Sequence, residues 1–240
     1  MGEAKNRREN AVPMIYHYTS TLRTNLIWMS GFIQVEGKSE GVFHPHLGEI
    51  KSNASLRRGL TDFPPVAWFT TRIEIPNCLR SETLVYRSKD TGEMKELHLD
   101  EKMSNGMALQ RIALGFPVSA IPVVRWQDYR GYNTSEGQEL NDSAREAGDD
   151  PDDWYVSEVP VDVLASTEVY ASASIFAPKL RRRPEYLRDI HHMVRMCRET
   201  PGAYIPPSWL SEQQARAFAK ARGVPARWGS ATAPDFDAEG

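Results

Sequence analysis

Apolar and polar positions fall into blocks with distinct periods. Residues 12–19, Val-Pro-Met-Ile-Tyr-His-Tyr-Thr, are mostly apolar and aromatic, and Pro13 stands at the start, where a missing amide donor harms a ladder least. This block predicts a strand. Ser20 or Thr19 can cap a helix to about Ser30, with Leu22, Leu26 and Met29 on one face and Gly31 as its terminator. Residues 32–35 resume an extended path. Residues 36–62, rich in Gly, Ser, Asn and His, keep no period and predict a long loop of the kind that often serves function. After Pro64 and Pro65, the run Val-Ala-Trp-Phe-Thr-Thr at 66–71 is a second strong strand signal. Residues 83–87 and 95–99 can pair as a hairpin across Lys89-Asp90-Thr91-Gly92.

In the second half, Ser104 is the expected cap of a short helix through Leu114, closed by Gly115. Residues 120–126 predict a strand, and the polar, acidic stretch 134–153 an exposed insertion. Residues 154–161 give the third strong strand, with Glu158 inside an otherwise apolar run, and residues 169–176 a further one. Pro184 opens an amphipathic helix that gathers Leu187, Ile190, Val194 and Cys197 on one face and ends at Pro201-Gly202. A last helix starts at Ser211, with Gln214 completing a capping box, and stops at Gly223. Strands gathered in the first three-quarters, with helices around them, predict an α+β domain. The expected layout is a flexible arm at 1–11, a core at 12–178, C-terminal helices at 179–228 packed on it and a disordered tail at 229–240.

Composition narrows the function classes. The 240 residues are 40% hydrophobic and 25% charged with a net charge of −3, so the whole molecule does not advertise nucleic-acid or membrane binding. The two cysteines, Cys78 and Cys197, cannot form a disulfide framework, and a reducing, cytoplasmic setting is expected. No apolar run approaches the ~18 residues of a spanning helix, and residues 1–10 are too polar for a secretory signal.

Three segments carry candidate chemistry. His17 sits in a strand flanked by Tyr16 and Tyr18 and followed by Thr19; a half-buried imidazole satisfied by a backbone carbonyl is the plain alternative to a catalytic one. Trp68 and Phe69 are adjacent on a strand and so face opposite ways, one able to pack in the core while the other forms a flat wall for a planar ligand; both being core or rim is the alternative. Glu158 is an acid in an otherwise apolar strand, for which a solvated face is the plain explanation, but it shares its alternation face with Val156 and Pro160. Were that face buried or lining a cleft, the charge would need a partner, and a carboxylate there could stabilise a developing positive charge.

Taken together, a strand with Tyr16-His17-Tyr18-Thr19 followed by a capped helix and Gly31, an aromatic-rich strand ending in Thr70-Thr71, and a late strand with one Glu resemble the ADP-ribosyltransferases in their His-Tyr-Glu branch, which includes diphtheria-type toxins, poly-ADP-ribose polymerases and the DarT toxins. The resemblance spans about residues 14–165. It implies a split, mixed β-sheet core with flanking helices, and NAD as substrate. In its terms His17 would hydrogen-bond a ribose hydroxyl and the Tyr18 backbone would hold the nicotinamide amide. Thr19 and Thr70 would line the site, and Trp68, Phe69 or Tyr86 would stack on the nicotinamide ring. Arg111 or Arg23 would meet the phosphates. Glu158 would hold the ribose 2′-hydroxyl and stabilise the oxocarbenium-like transition state. The sequence Val156-Ser157-Glu158 lacks the Glu-x-Glu of the arginine-modifying branch and the Gln-x-Glu of its relative, so the resemblance implies a nucleic-acid base or another macromolecular acceptor rather than an arginine. A toxin, effector or phage-defence role, with an antitoxin or inhibitor protein as partner, belongs to the same expectation.

Residues 179–198 hold seven Lys and Arg against Glu185 and Asp189. Arg181, Arg182 and Arg183 are therefore candidate nucleic-acid or partner contacts, and a non-catalytic binding module on the same scaffold is the alternative function. NAD hydrolysis keeps the same pocket; RNA 2′-phosphate transfer ranks low because no Arg adjoins His17. His44, His46 and Glu49 fit no standard zinc spacing, and Asp149-Asp150-Pro151-Asp152-Asp153 lacks the Gly and Glu of a calcium loop, so no metal is expected. His191 and His192 lie opposite the apolar stripe of their helix and are expected to be exposed.

Overall fold

A computed structural model describes residues 12–35, 42–44, 48–51, 64–77, 83–88, 90–98 and 110–199. The expected arm at 1–11, most of the 36–62 loop, the start of the helix expected from Ser104, the helix from Ser211 and the tail at 229–240 lie outside the described residues.

In chain order the strands are β1 (Met14–Ser20), β2 (Phe32–Ile33), β3 (Val42–His44), β4 (Gly48–Lys51), β5 (Ala67–Thr70), β6 (Thr83–Ser88) and β7 (Met94–His98), then β8 (Arg111–Pro117), β9 (Val124–Arg125), β10 (Trp154–Ser157), β11 (Val161–Asp162), β12 (Glu168–Ser172) and β13 (Leu180–Arg182). The helices are α1 (Thr21–Ser30), α2 (Ser135–Glu146) and α3 (Pro184–Glu199). Seven strands form the main sheet in the order β13-β12-β8-β1-β5-β10-β9, β3-β4-β6-β7 form a second sheet, and β11 pairs with β2. Every ladder between described strands is antiparallel. The class is α+β.

β1 enters α1 as its residue pattern predicts. Ser20 takes the extended N-cap conformation without a side-chain cap bond, and Thr24 Oγ1 donates back to the Ser20 carbonyl at 2.7 Å. Gly31, at φ 75°, ends the helix and donates its N–H to Ile27 O at 2.7 Å. β6 and β7 form the expected hairpin, with Gly92 in the turn at φ 71°.

Two regions depart from expectation. The stretch 36–62, expected to be a long loop, contains β3 and β4, which extend the β6–β7 hairpin into the second sheet; pairing with a distant hairpin, not a local period, makes them strands. The region after residue 104 departs as well. Residues 111–117 are strand, not the end of a helix. Ile112, Ala113, Leu114 and Phe116 are all buried because β8 lies in the sheet between β1 and β12, and a short apolar run covered on both faces has no period that tells strand from helix. Gly115 does not cap anything. A Cβ there would meet Glu168 Cγ at 2.7 Å and Tyr16 Cε1 at 2.9 Å, so its missing side chain lets two neighbouring side chains meet over the strand. The strand expected at 120–126 shrinks to β9 between two 3-10 turns, and the one expected at 169–176 ends at Ser172. The expected insertion at 134–153 contains α2, whose first turn is capped by Thr134 Oγ1 accepting from Gly137 N at 3.1 Å and which buries Asn141 and Ala144.

Two apolar clusters hold the described part together. The larger packs Ile27 and Trp28 of α1 and Ile190, Met193, Val194 and Cys197 of α3 against Ile15, Phe69, Leu114, Phe116, Tyr155 and Val169 of the sheet. Leu187, expected on the same stripe of α3, packs at its margin. The smaller cluster joins Val66, Trp126, Tyr129 and Val156, with Trp68, Tyr132, Leu140 and Trp154 packed against them. Among the described residues no helix is long and apolar enough to cross a membrane.

Candidate functional site

The three segments singled out from the sequence become consecutive strands, β1, β5 and β10. Their ladders are unequal. β1 pairs with β8 from Met14↔Pro117 to Ser20↔Arg111, and β5 pairs with β10 over its whole length, yet β1 and β5 share only the pair Tyr16↔Thr70. Next to that pair the His17 ring takes over: Nδ1 lies 2.9 Å from the Trp68 carbonyl oxygen. A carbonyl only accepts, so Nδ1 is the donor in this contact. The half-buried imidazole also lies 5.6 Å from the Phe69 ring. It thus stands at the short β1–β5 ladder, which joins the β13-β12-β8-β1 strands to the β5-β10-β9 strands in one sheet.

The neighbours of His17 have defined places. Tyr18 points its hydroxyl at the carbonyls of Glu74 (2.9 Å) and Arg72 (3.2 Å), and burial, with Glu74 nearby, pushes its phenol above the ordinary tyrosine range. Thr19 is half-buried opposite Ile112. Phe69 is buried in the larger cluster, edge-on to Phe116 at 5.8 Å. Trp68 faces the other way and joins the smaller cluster, 4.8 Å from Trp126 and 5.6 Å from Trp154. Thr70 is buried and its Oγ1 accepts from Arg72 N at 3.2 Å. Arg111 lies on β8; its Nε donates to Ile175 O at 2.9 Å and its amide donates to Ser172 Oγ at 2.9 Å. The side chains of Tyr86 and Arg23 lie outside what the structure describes.

Glu158 is not in the middle of a strand. β10 ends at Ser157, opposite Ala67, and Glu158 and Val159 form a bend before β11. The bend places the carboxylate in water rather than in an apolar face. Its Oε1 accepts from Tyr129 Oη at 2.8 Å, from Arg130 Nη2 at 2.6 Å and from Arg130 Nε at 3.1 Å. The Tyr129 hydroxyl, then the Arg130 guanidinium, hold the Glu158 carboxyl below the usual carboxylate range, so it is ionised at neutral pH. Burial pushes the Tyr129 phenol up, and the bond to Glu158 adds to this, so it stays a donor. β10 is two strand spacings from β1, about 10 Å across the sheet. Glu158 therefore reaches the same three-strand group as His17 but is held on the Trp68 side, whereas His17 lies on the Phe69 side.

Tyr129 and Arg130 carry almost no signal in the sequence. Their one trace is the spacing of Trp126, Tyr129 and Tyr132, three apart, which matches a 3-10 turn. Trp126 indeed contacts Tyr129 at 5.7 Å and Tyr132 at 5.9 Å. A second unforeseen cluster joins β1 to β12: Glu168 accepts from Tyr16 Oη (2.8 Å) and Tyr170 Oη (3.2 Å), with Arg182 Nε at 3.7 Å.

The basic stretch is spread over β13 and α3. Arg181 and Arg182 are exposed on β13, whereas Arg183 pairs with Glu185 and lies 4.3 Å over the Tyr186 ring. β13 is five strand spacings from β10, roughly 24 Å. His191 is not exposed as expected; it is half-buried with Nε2 3.0 Å from Ser166 Oγ, while His192 is exposed. This Ser–His pair is no nucleophile. Ser166 is buried and directs its hydroxyl proton to Val163 O at 2.7 Å, so the imidazole can only donate to it. The acidic run 149–153 is a set of local latches: Asp149 accepts from Asn77 N (2.8 Å), Asp150 from Asp152 N (3.0 Å) and Asp153 from Thr71 Oγ1 (2.8 Å). Among the described residues no group of three metal-ligating side chains occurs. No protein-family model matches the chain, and no curated protein or solved structure does.

Proposed function

We propose that the protein is an NAD-consuming ADP-ribosyltransferase of the His-Tyr-Glu type. The observation that carries this is the strand order: the His, aromatic and Glu segments, far apart in sequence, lie on three consecutive strands, and the β1–β5 ladder stops at His17. A β1–β5 ladder that stops beside a half-buried imidazole suits a planar, polar ligand near that point. The ionised Glu158 at the end of β10 supplies the negative charge such chemistry requires.

In this scheme NAD lies across the strand ends where β1 and β5 part. Because the two side chains stand on opposite faces of the sheet, NAD rounds the strand ends: the His17 ring meets a ribose hydroxyl from the Phe69 side, and Glu158 Oε2 accepts from the 2′-hydroxyl of the nicotinamide ribose from the Trp68 side. The bond from ribose C1′ to the nicotinamide nitrogen breaks, and its electron pair leaves with neutral nicotinamide. The cationic sugar carbon is stabilised by the carboxylate, the same use of charge as in glycoside cleavage. A macromolecular nucleophile then attacks C1′ and gives up its proton. Val156 is buried in the smaller cluster, so position 156 provides no polar group for an arginine acceptor, and a nucleic-acid base is the acceptor class favoured. A reducing, cytoplasmic setting suits the buried free thiol of Cys197.

The test is incubation with NAD labelled in the ADP-ribose part, with DNA, RNA and protein offered as acceptors. Nicotinamide release that disappears in Glu158→Gln is expected. No release with any acceptor, or release unchanged in that variant, would remove the proposal.

A further inference from the structure

We propose that Tyr129 and Arg130 are positioning residues that hold Glu158 by Oε1 and so present Oε2 to the substrate; this rests on the transferase assignment above for what Oε2 does, but not for the clamp itself.

An exposed Glu at the end of a strand is ordinarily free to rotate, and three rotatable bonds leave its carboxylate without a direction. Glu158 instead receives three hydrogen bonds, all at Oε1, and among the described residues Oε2 takes none of them. The two donors differ in kind. Arg130 is exposed and supplies charge through two nitrogens, an arrangement that alone is worth little in water. Tyr129 is buried and cannot wander. Its ring packs on Trp126, which is fully buried and donates its indole N–H to the equally buried Asn141 Oδ1 at 2.7 Å. Turn bonds Tyr129 N to Trp126 O and Tyr132 N to Tyr129 O, both 3.0 Å, fix the same segment. A chain of contacts therefore runs from α2 through Asn141, Trp126 and Tyr129 to one oxygen of Glu158.

Holding one oxygen has a chemical consequence. The donors stabilise the ionised form, and the fixed Oε1 leaves Oε2 as the atom able to accept from a hydroxyl or to face a cationic carbon. The carboxylate of Glu168 shows the contrast: Tyr16 takes one oxygen while Tyr170 and Arg182 take the other, so it is a structural tie and not a presenting group.

The test uses the full-length protein with its Glu carboxyl carbons labelled with carbon-13. The Glu158 signal, identified by its loss in Glu158→Gln, is followed against pH in the wild type, in Tyr129→Phe and in Arg130→Met. Tyr129→Phe keeps the ring on Trp126 and removes only the hydroxyl; Arg130→Met alters an exposed site and serves should the first variant fold poorly. The Glu158 midpoint is expected to rise in both variants. In NAD cleavage, kcat is expected to fall by about tenfold or more, the effect of losing a hydrogen bond to a charged group, with KM little changed and the acid limb of the pH profile moved up. A midpoint unmoved in both variants overturns the clamp even if NAD is cleaved, and a change confined to KM overturns the positioning role. Midpoints that rise while the wild type cleaves no NAD keep the clamp and remove the transferase assignment.

Discussion

The two apolar clusters differ in what they are made of and in what they hold. The larger is mostly aliphatic, with Phe69, Phe116, Trp28, Tyr155 and Tyr186 among its members, and joins α1, α3 and the sheet, elements from the two ends of the described chain. The smaller is built of Trp and Tyr from β5, β10 and the 126–141 segment, and its polar atoms are directed: Trp126 to Asn141, Tyr129 to Glu158. Aliphatic packing has no direction and makes the sheet; aromatic packing with a polar tip aims one oxygen at one carboxylate. The larger cluster should set global stability, and the smaller the geometry of the candidate site.

The largest effect expected is in the larger cluster. Phe116 is fully buried and edge-on to Phe69, so Phe116→Ala should cost about 3–5 kcal/mol in denaturant unfolding. A loss below 1 kcal/mol would mean that this cluster is not what holds the fold. Glu158→Gln should do the reverse: an unchanged unfolding midpoint with NAD cleavage lowered by at least about 100-fold. Its wild-type pH dependence has a fixed sign. Because the carboxyl is held below its ordinary range, activity should persist as pH falls to the usual Glu value near ~4.3 and be lost only beneath it.

Trp126→Phe tests whether the smaller cluster contributes direction or only volume. It keeps a ring but leaves Asn141 Oδ1 unpaired in a fully buried place, at a cost of about 1–3 kcal/mol by thermal or denaturant unfolding. Activity falling further than stability predicts would tie the Asn141–Trp126–Tyr129 chain to Glu158. The smallest effect concerns α2: Thr134→Ala removes the cap on Gly137 N and should cost about 1 kcal/mol, visible as earlier hydrogen exchange in α2 and not across the sheet.

Parts of the first half were legible because their signals are local, whereas β3 and β4 fall in the stretch that reads as loop, since only pairing with β6 makes them strands. The β1–α1 unit, the Gly31 stop and the β6–β7 hairpin follow from periodicity and turn chemistry, which act within a few residues. β8 reads as the end of a helix because a strand covered on both faces lacks the alternation that would identify it. α2 reads as an exposed insertion because its exposed face is so polar that Asn141 and Ala144 form no visible buried stripe. A partner for Glu158 follows from the sequence only if its face is buried; the carboxylate is instead exposed, and its partners Tyr129 and Arg130, on a turn nearly thirty positions earlier, leave only a spacing-of-three trace.

By itself, the sequence determined the residue types, most local elements and the sidedness within each strand, since sterics and alternation operate along one chain segment. Tertiary structure decided which strands became neighbours, that the β1–β5 ladder stops after one pair, and that Glu158 leaves its strand to be held by its Oε1. Those choices are hydrogen bonds between segments distant in sequence, and no local period records which carbonyl or carboxylate a distant donor will meet.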